Sequence, residues 1–222
     1  MPRSDITGFI LAGGRSRRMG RDKAQLPWGG QTFLTHAISR MQQVCDLVFV
    51  VGETLGATVP ILKDAFPGDG PLAGLHTALL HSQTDWNVVL AIDMPLVSVA
   101  LLRFITVHTD RSTFALIPSV RALEESPGPS SKGRPTLQPL CAAYHRGLLP
   151  YVQRALSNRE LSVQCLFEGL SQGMMGRQPH AVHIINEQEL VSAGFSPEML
   201  INVNTPADLE RAKGLAQRFH VN

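Results

Sequence analysis

The sequence lacks most features that would assign it to a special class. Its three cysteines, Cys45, Cys141 and Cys165, are odd in number, far apart and form no C-x-x-C pair. Neither a disulfide framework nor a thiolate zinc site is indicated, and reduced, buried thiols are expected. No uninterrupted apolar run approaches the roughly 18 to 20 residues that cross a bilayer, and no basic segment followed by a long apolar one opens the chain. A cytoplasmic protein without a membrane partner is expected. Charge of one sign is also scarce in excess: 20 Lys and Arg face 18 Asp and Glu, a net of +2. General nucleic-acid binding has little support from such a balance. No internal repeat is present. The remaining composition, 44% apolar and 17% charged over 222 residues, is that of a globular chain able to bury a sizeable core. One domain, residues 1–222, accounts for it.

The basic residues that are present gather in one place. Phe9-Ile10-Leu11-Ala12 is an apolar run of the kind buried on both faces in a parallel sheet, and Gly13-Gly14 stands where that strand ends. Arg15, Arg17, Arg18, Arg21 and Lys23 then follow within ten residues. Flexible glycines with bare N–H groups, next to a cluster of cations, suit a polyphosphate. Two common phosphate motifs are excluded. The adjacent glycines break G-x-G-x-x-G, and Gly14 to Gly20 is one residue too long for a P-loop and is followed by Arg21-Asp22.

Further along, residues 26–30 read as a Pro- and Gly-punctuated turn, and Phe33, Leu34, Ala37, Ile38 and Met41 share one helical face. Strands are expected at 47–51, 61–62, 88–92 and 114–117. Helices follow the Gly-rich loop 68–74 and the cap Ser98. A turn-rich stretch, 119–133, is expected to be a mobile loop. Beyond it lie a strand at 139–144, helices at 148–156 and 161–170, and strands at 181–185 and 201–204. Thr205-Pro206-Ala207-Asp208 has the cap, N1 proline and early acid of a final helix. The alternation of strands and helices predicts a doubly wound, mostly parallel α/β sheet flanked by helices, with ligands outside the carboxyl ends of its strands. Gly13-Gly14 and Asp93 both fall at such ends. His180 and His183, at i and i+3 of a strand, point to opposite sides and are not expected to share a metal.

Leu11-Ala12-Gly13-Gly14, with Arg18-Met19-Gly20 and Asp22-Lys23, resembles the signature of nucleotidyltransferases of Rossmann-like, nucleotide-diphospho-sugar-transferase-like fold. Within them the chain is most similar to the molybdenum cofactor guanylyltransferases. Gly70-Pro71-Leu72-Ala73-Gly74, Asp93-Met94-Pro95, Arg134-Pro135-Thr136 and Asn202-Val203-Asn204-Thr205-Pro206 continue the likeness in order along nearly the whole chain. The resemblance implies transfer of GMP from GTP to the phosphate of molybdopterin, with Mg²⁺ and release of pyrophosphate. It implies a nucleotide-binding half, 1–118, and a molybdopterin-side half, 134–222, in a monomer that meets molybdenum-insertion and accessory maturation proteins.

Nucleotidyl transfer is largely positioning and charge neutralisation. Residues 11–14 would then cradle the nucleotide, Lys23 and Arg18 would meet phosphates, and Asp93 would supply the hard oxygen ligand that Mg²⁺ prefers. The resemblance further implies nucleotide contacts from Asp64, Gly70, Pro71, Leu72 and Gly74. It places Asn202 and Asn204 on the molybdopterin side. Asp64 as a plain turn acid, and the asparagines as satisfiers of backbone before a helix, remain open readings. So do a cytidylyltransferase, a sugar-phosphate nucleotidyltransferase and a GTP-binding cofactor chaperone. Related cytidylyl enzymes usually read Ala-Ala-Gly where this chain has Ala12-Gly13-Gly14, which favours guanine. In one place the chain departs from the family: Val51-Gly52 stands where an Asn often follows the second strand.

Overall fold

Strand β1, Arg3–Leu11, is buried on both faces from Ile6 onward and lies inside an eight-stranded sheet. Because successive side chains alternate, Ile6 and Ile10 enter one core layer while Phe9 and Leu11 enter the other. A computed structural model describes residues 3–13, 22–66, 68–107, 109, 113–121, 135–171 and 182–219.

After β1 come a short antiparallel ribbon, β2 (Pro27–Trp28) and β3 (Gln31–Thr32), and helix α1, Phe33–Gln42. The expected turn is the tip of this ribbon, where Gly29 and Gly30 both have positive φ, as a tight two-residue hairpin needs. Thr32 and Thr35 form a reciprocal cap on α1. Next are β4 (Cys45–Val51), β5 (Ile61–Leu62), α2 (Pro71–His81), β6 (Trp86–Ala91), α3 (Val99–Val107) and β7 (Ala115–Arg121). They are followed by β8 (Pro135–Leu137), β9 (Cys141–His145), α4 (Leu149–Ser157), α5 (Val163–Ser171), β10 (Val182–Ile185), α6 (Glu187–Ser192) and α7 (Pro206–Phe219).

The sheet runs β10-β7-β9-β6-β1-β4-β5, with β8 beside β7. Pairs β6–β1, β1–β4, β4–β5 and β10–β7 are parallel. The alternation of elements does not reveal that β9 inserts antiparallel between β6 and β7, nor that β8 is antiparallel to β7. Helices α1 and α3 cover one face through Leu34, Ile38, Met41, Leu101 and Ile105. Helices α2, α4 and α5 cover the other through Leu72, Leu75, Val152, Phe167 and Leu170. The winding is therefore double, as expected, around a mixed sheet.

A third apolar cluster fixes the end of the chain. Ala212, Leu215 and Ala216 of α7 pack with Leu26, Trp28, Phe33, Leu96 and Val203. Residues 201–204 form no strand. Val203 instead donates a single backbone bond to the Asp93 carbonyl, 2.8 Å, before α7 begins. Helix α6 was not legible as a separate element, although Asn186 and Glu189 cap it reciprocally. Cys45 and Cys141 are buried, and burial pushes both thiols up to about 12, whereas Cys165 is exposed, contrary to expectation. Among the described residues no helix is long and apolar enough to cross a membrane. Residues 119–121, expected in the mobile loop, instead end β7 with Ser119 and Val120 buried, and the rest of the turn-rich stretch lies outside the described residues, as does His180. His183 is exposed, with its Nε2 3.9 Å from Glu189 Oε1.

Candidate active site

The parallel strands β6, β1, β4 and β5 end side by side, and their last backbone groups continue the ladder into the loops. Ile92 N–H donates to the Leu11 carbonyl at 3.2 Å, Ala12 N–H to Val51 at 2.9 Å and Gly52 N–H to Leu62 at 3.0 Å. Gly52 has φ +118°, and a Cβ there would stand 2.7 Å from the Gly13 nitrogen and 3.0 Å from its Cα. The loops after β1 and β4 thus pack backbone against backbone, which demands glycine at 52 and leaves no room for a side chain. The Val51-Gly52 pair is therefore fixed at its second residue by this close approach. Any contact an asparagine side chain would make from that position is lost to this chain.

Three side chains from distant segments meet beside this edge. Lys23 opens a short 3₁₀ turn, Lys23–Gln25, whose Ala24 N–H donates to the capping Asp22 Oδ1. Its Nζ donates to Asp93 Oδ2 at 2.8 Å and to Asn204 Oδ1 at 2.7 Å. The lysine and aspartate side chains are 17% and 20% exposed, so their attraction is only partly screened. Asp93 lies two residues beyond the end of β6, and its other oxygen, Oδ1, is buried without a hydrogen-bond partner.

Asn204 is held from behind. Asp208 Oδ2 accepts from the Asn204 and Thr205 N–H groups, at 2.9 and 2.8 Å, while Asp208 N–H donates to Thr205 Oγ1 at 3.1 Å. Burial alone would push the Asp208 carboxyl up, but these hydrogen bonds and the Arg211 charge hold it below its usual value. The cap of α7 and the site are therefore one construction.

Helix α2 brings a second group of predicted residues to the end of β1. Gly70, with φ +75°, precedes Pro71 at the first helical position. Leu72 is buried, and a Cβ on Gly74 would lie 3.3 Å from Leu11 Cδ2, so helix and strand approach closely. Asp64, just beyond β5, accepts at Oδ1 from Phe66 N–H at 3.0 Å and from Thr77 Oγ1 at 3.3 Å. The Thr77 hydroxyl also accepts from Ala65 N–H at 3.1 Å, which ties the loop to α2.

A family model for the MobA-like NTP transferase domain matches residues 8–173. A probable molybdenum cofactor guanylyltransferase of Carboxydothermus hydrogenoformans is 30% identical over 93% of this chain and 94% of its own. The chain belongs to the MobA-like NTP transferase family. It is a nucleotidyltransferase. Among solved structures, molybdopterin-guanine dinucleotide biosynthesis protein A from Archaeoglobus fulgidus shares the fold, with TM-score 0.67 over 96% of this chain and 99% of that one at 22% identity. So does 2-C-methyl-D-erythritol 4-phosphate cytidylyltransferase from Thermus thermophilus, with TM-score 0.66 over 98% and 100% at 17% identity.

Of the residues that the family signature singles out, Asp93 and Asn204 both bond to Lys23. Leu11, Ala12 and Gly13 line the adjoining strand end. Gly70, Pro71, Leu72 and Gly74 begin α2 beside it, and Asp64 is anchored to the same helix. Asn202 is exposed and lies outside the hydrogen-bonded set. Arg18 and Gly14 fall outside the described residues. Sequence reasoning passed over Thr77, whose only signal is a hydroxyl among the apolar positions of α2. It also passed over Gly52 as a contact of Gly13, for which adjacency to a strand end is the single cue.

Proposed function

We propose that this nucleotidyltransferase is a molybdenum cofactor guanylyltransferase, moving GMP from GTP onto the phosphate of molybdenum-molybdopterin to give the guanine dinucleotide cofactor and pyrophosphate. The observation that carries this reading is the Lys23–Asp93–Asn204 set at the carboxyl ends of β1 and β6. It supplies one cation, one carboxylate with a free oxygen and one amide at a single point, beside the exposed backbone of Gly13.

The reaction forms one bond from a molybdopterin phosphate oxygen to the α-phosphorus of GTP, and breaks the bond to the leaving pyrophosphate, which takes the electron pair. The attacking oxygen is already anionic near neutral pH, since the second pKa of a phosphate monoester is about 6, so no protein base is needed. What the protein must supply is alignment and positive potential. Residues 11–14 cradle the nucleotide, and Lys23 and Arg18 neutralise its phosphates.

The buried, unpaired Asp93 Oδ1 fits a hard divalent cation, and Mg²⁺ is the ion we assign, with Asp93 as its protein ligand and phosphate oxygens and water as the others. When bound, such an ion lowers the charge on the phosphate oxygens it touches. Asp64, held by Thr77 and the Phe66 N–H, accepts from the guanine edge. The guanine edge presents N1–H and 2-amino donors, which suit a carboxylate that only accepts. Asn204 accepts from Lys23 through Oδ1, leaving its NH₂ for the acceptor phosphate, and Asn202 lies on that molybdopterin side.

The test is incubation of purified protein with α-labelled GTP, Mg²⁺ and molybdopterin, followed by chromatography for the labelled guanine dinucleotide. CTP is run in parallel. Product from GTP is expected. A preference for CTP overturns the choice of base, and absence of product with either nucleotide overturns the enzymatic reading.

A further inference from the structure

The segment that carries Asp93 runs from the end of β6 to the start of α3, and α1 reaches it with two buried polar side chains that the chemistry above leaves unused. His36 and Arg40 are four residues apart, on one face of α1, and only 5% and 8% exposed. His36 Nε2 lies 3.1 Å from the Pro95 carbonyl oxygen. Since that oxygen can only accept, the imidazole donates there as its Nε2–H tautomer. Arg40 Nη1 donates to the same oxygen at 3.0 Å and to the Val97 carbonyl. Both lone pairs of the Pro95 carbonyl are thus spoken for by α1.

The rest of the segment is fastened from the other side. Asp93's own carbonyl accepts from Val203 N–H, and turn bonds run from Met94 N–H to Ala91 and from Val97 N–H to Met94, both at 3.3 Å. Backbone oxygens 93, 95 and 97 are therefore all pinned, two of them by α1. Among the described residues no carboxylate pairs with the Arg40 guanidinium. Burial draws it down to about 10, and burial together with the neighbouring Arg40 charge draws His36 down to about 4. A buried cation without a counter-ion is a costly way to hold a helix against a loop, and an apolar side chain of similar length packs there more cheaply. What the guanidinium adds is direction, since its planar donors fix where carbonyls stand.

We infer that Arg40, backed by His36, is a positioning residue: it clamps the carbonyls of Pro95 and Val97 from α1 and so sets the Asp93 carboxylate opposite Lys23 and Asn204. The inference rests on the reading of Asp93 as a group of the reacting centre.

Arg40→Met and Arg40→Lys, measured beside Asp93→Ala, test it. In Arg40→Met, kcat for guanine dinucleotide formation falls at least about tenfold while KM for GTP stays within roughly threefold, the split expected when alignment rather than substrate binding is lost. Arg40→Lys keeps the charge and a donor and holds kcat within roughly fivefold of the wild type, though below it. By hydrogen exchange, amides 92–94, 96 and 97 of Arg40→Met open roughly tenfold more often while those of β1 and β6 stay protected. Folded Arg40→Met with wild-type kcat and exchange, beside an inactive Asp93→Ala, overturns the clamp and leaves the site reading standing. An active Asp93→Ala overturns the site reading and the clamp with it. If Arg40→Met does not fold, Arg40→Lys decides: reduced kcat at unchanged KM supports the clamp, and wild-type kcat overturns it.

Discussion

The two ends of β1 and β6 carry polar clusters of opposite character. At the amino end Thr7, Ser82, Thr84 and Asn87 hydrogen-bond among themselves. Thr7 Oγ1 pairs with Thr84 Oγ1 at 2.8 Å, Thr84 Oγ1 donates to the Trp86 carbonyl at 2.8 Å, Ser82 Oγ donates to Asn87 Oδ1, and Asn87 Nδ2 donates to the Tyr144 carbonyl at 3.2 Å. None of these side chains has a buried polar atom without a partner. At the carboxyl end Lys23 bonds to both Asp93 and Asn204, yet Asp93 Oδ1 is left buried and unpaired. The same two strands thus end in one closed network and one open one. A closed network orders the fold, whereas a buried acceptor held without a partner keeps capacity for a ligand.

The sharpest break of this comparison comes from Asp93→Ala. Turnover should fall at least about a hundredfold, the scale for losing one charge partner of the transition state, with little change in the thermal midpoint. Steady-state kinetics beside a melting curve checks both halves, and wild-type turnover would refute the role. Asn87→Ala should do the reverse, costing roughly 1–3 kcal/mol by removing the amide that donates to the Tyr144 carbonyl and one of the partners of Ser82, while kcat of the folded protein stays within about twofold. Urea unfolding with activity on the same sample reads this out. Equal effects of the two substitutions on stability and turnover would erase the contrast.

Lys23→Ala should weaken GTP binding by about tenfold, or roughly 1.4 kcal/mol, measured by titration with GTP. Unchanged affinity and rate would count against its phosphate role. A further effect is expected on acid stability. The His36 imidazole, held at about 4 by burial and the Arg40 charge, stays neutral in the folded protein while the unfolded chain takes up a proton near 6.5. The contribution is whole above 6.5 and declines as pH falls towards 4. Thermal unfolding at stepped pH should show a shallower decline over that window in His36→Gln than in the wild type; parallel curves would exclude the linkage.

Much of this was legible from local pattern. The apolar run of β1 demanded a strand covered on both faces, the glycines after it marked a strand end, and Thr205-Pro206-Ala207-Asp208 announced α7. The family motifs named Lys23, Asp93 and Asn204 individually. Less legible was how the strands pair, since an antiparallel insertion such as β9 leaves the same apolar signature as a parallel neighbour. The pattern 201–204 misled for a related reason. Its alternation of exposed and buried positions comes from Val203 plugging the α7 cluster, not from a sheet.

By itself, then, the sequence determined the two core layers, the caps Ser98 and Thr205 and the residue types of the candidate site, because periodicities of 2 and 3.6 and capping chemistry act over a few neighbours. Only the tertiary structure decided that Lys23 meets Asp93 across 70 residues and Asn204 across 181. It alone decided that Gly52 must be bare because Gly13 lies against it, and that α1 reaches under the Asp93 loop with Arg40. Those contacts depend on how helices and strand ends pack in space, and packing distance has no local spacing to reveal it.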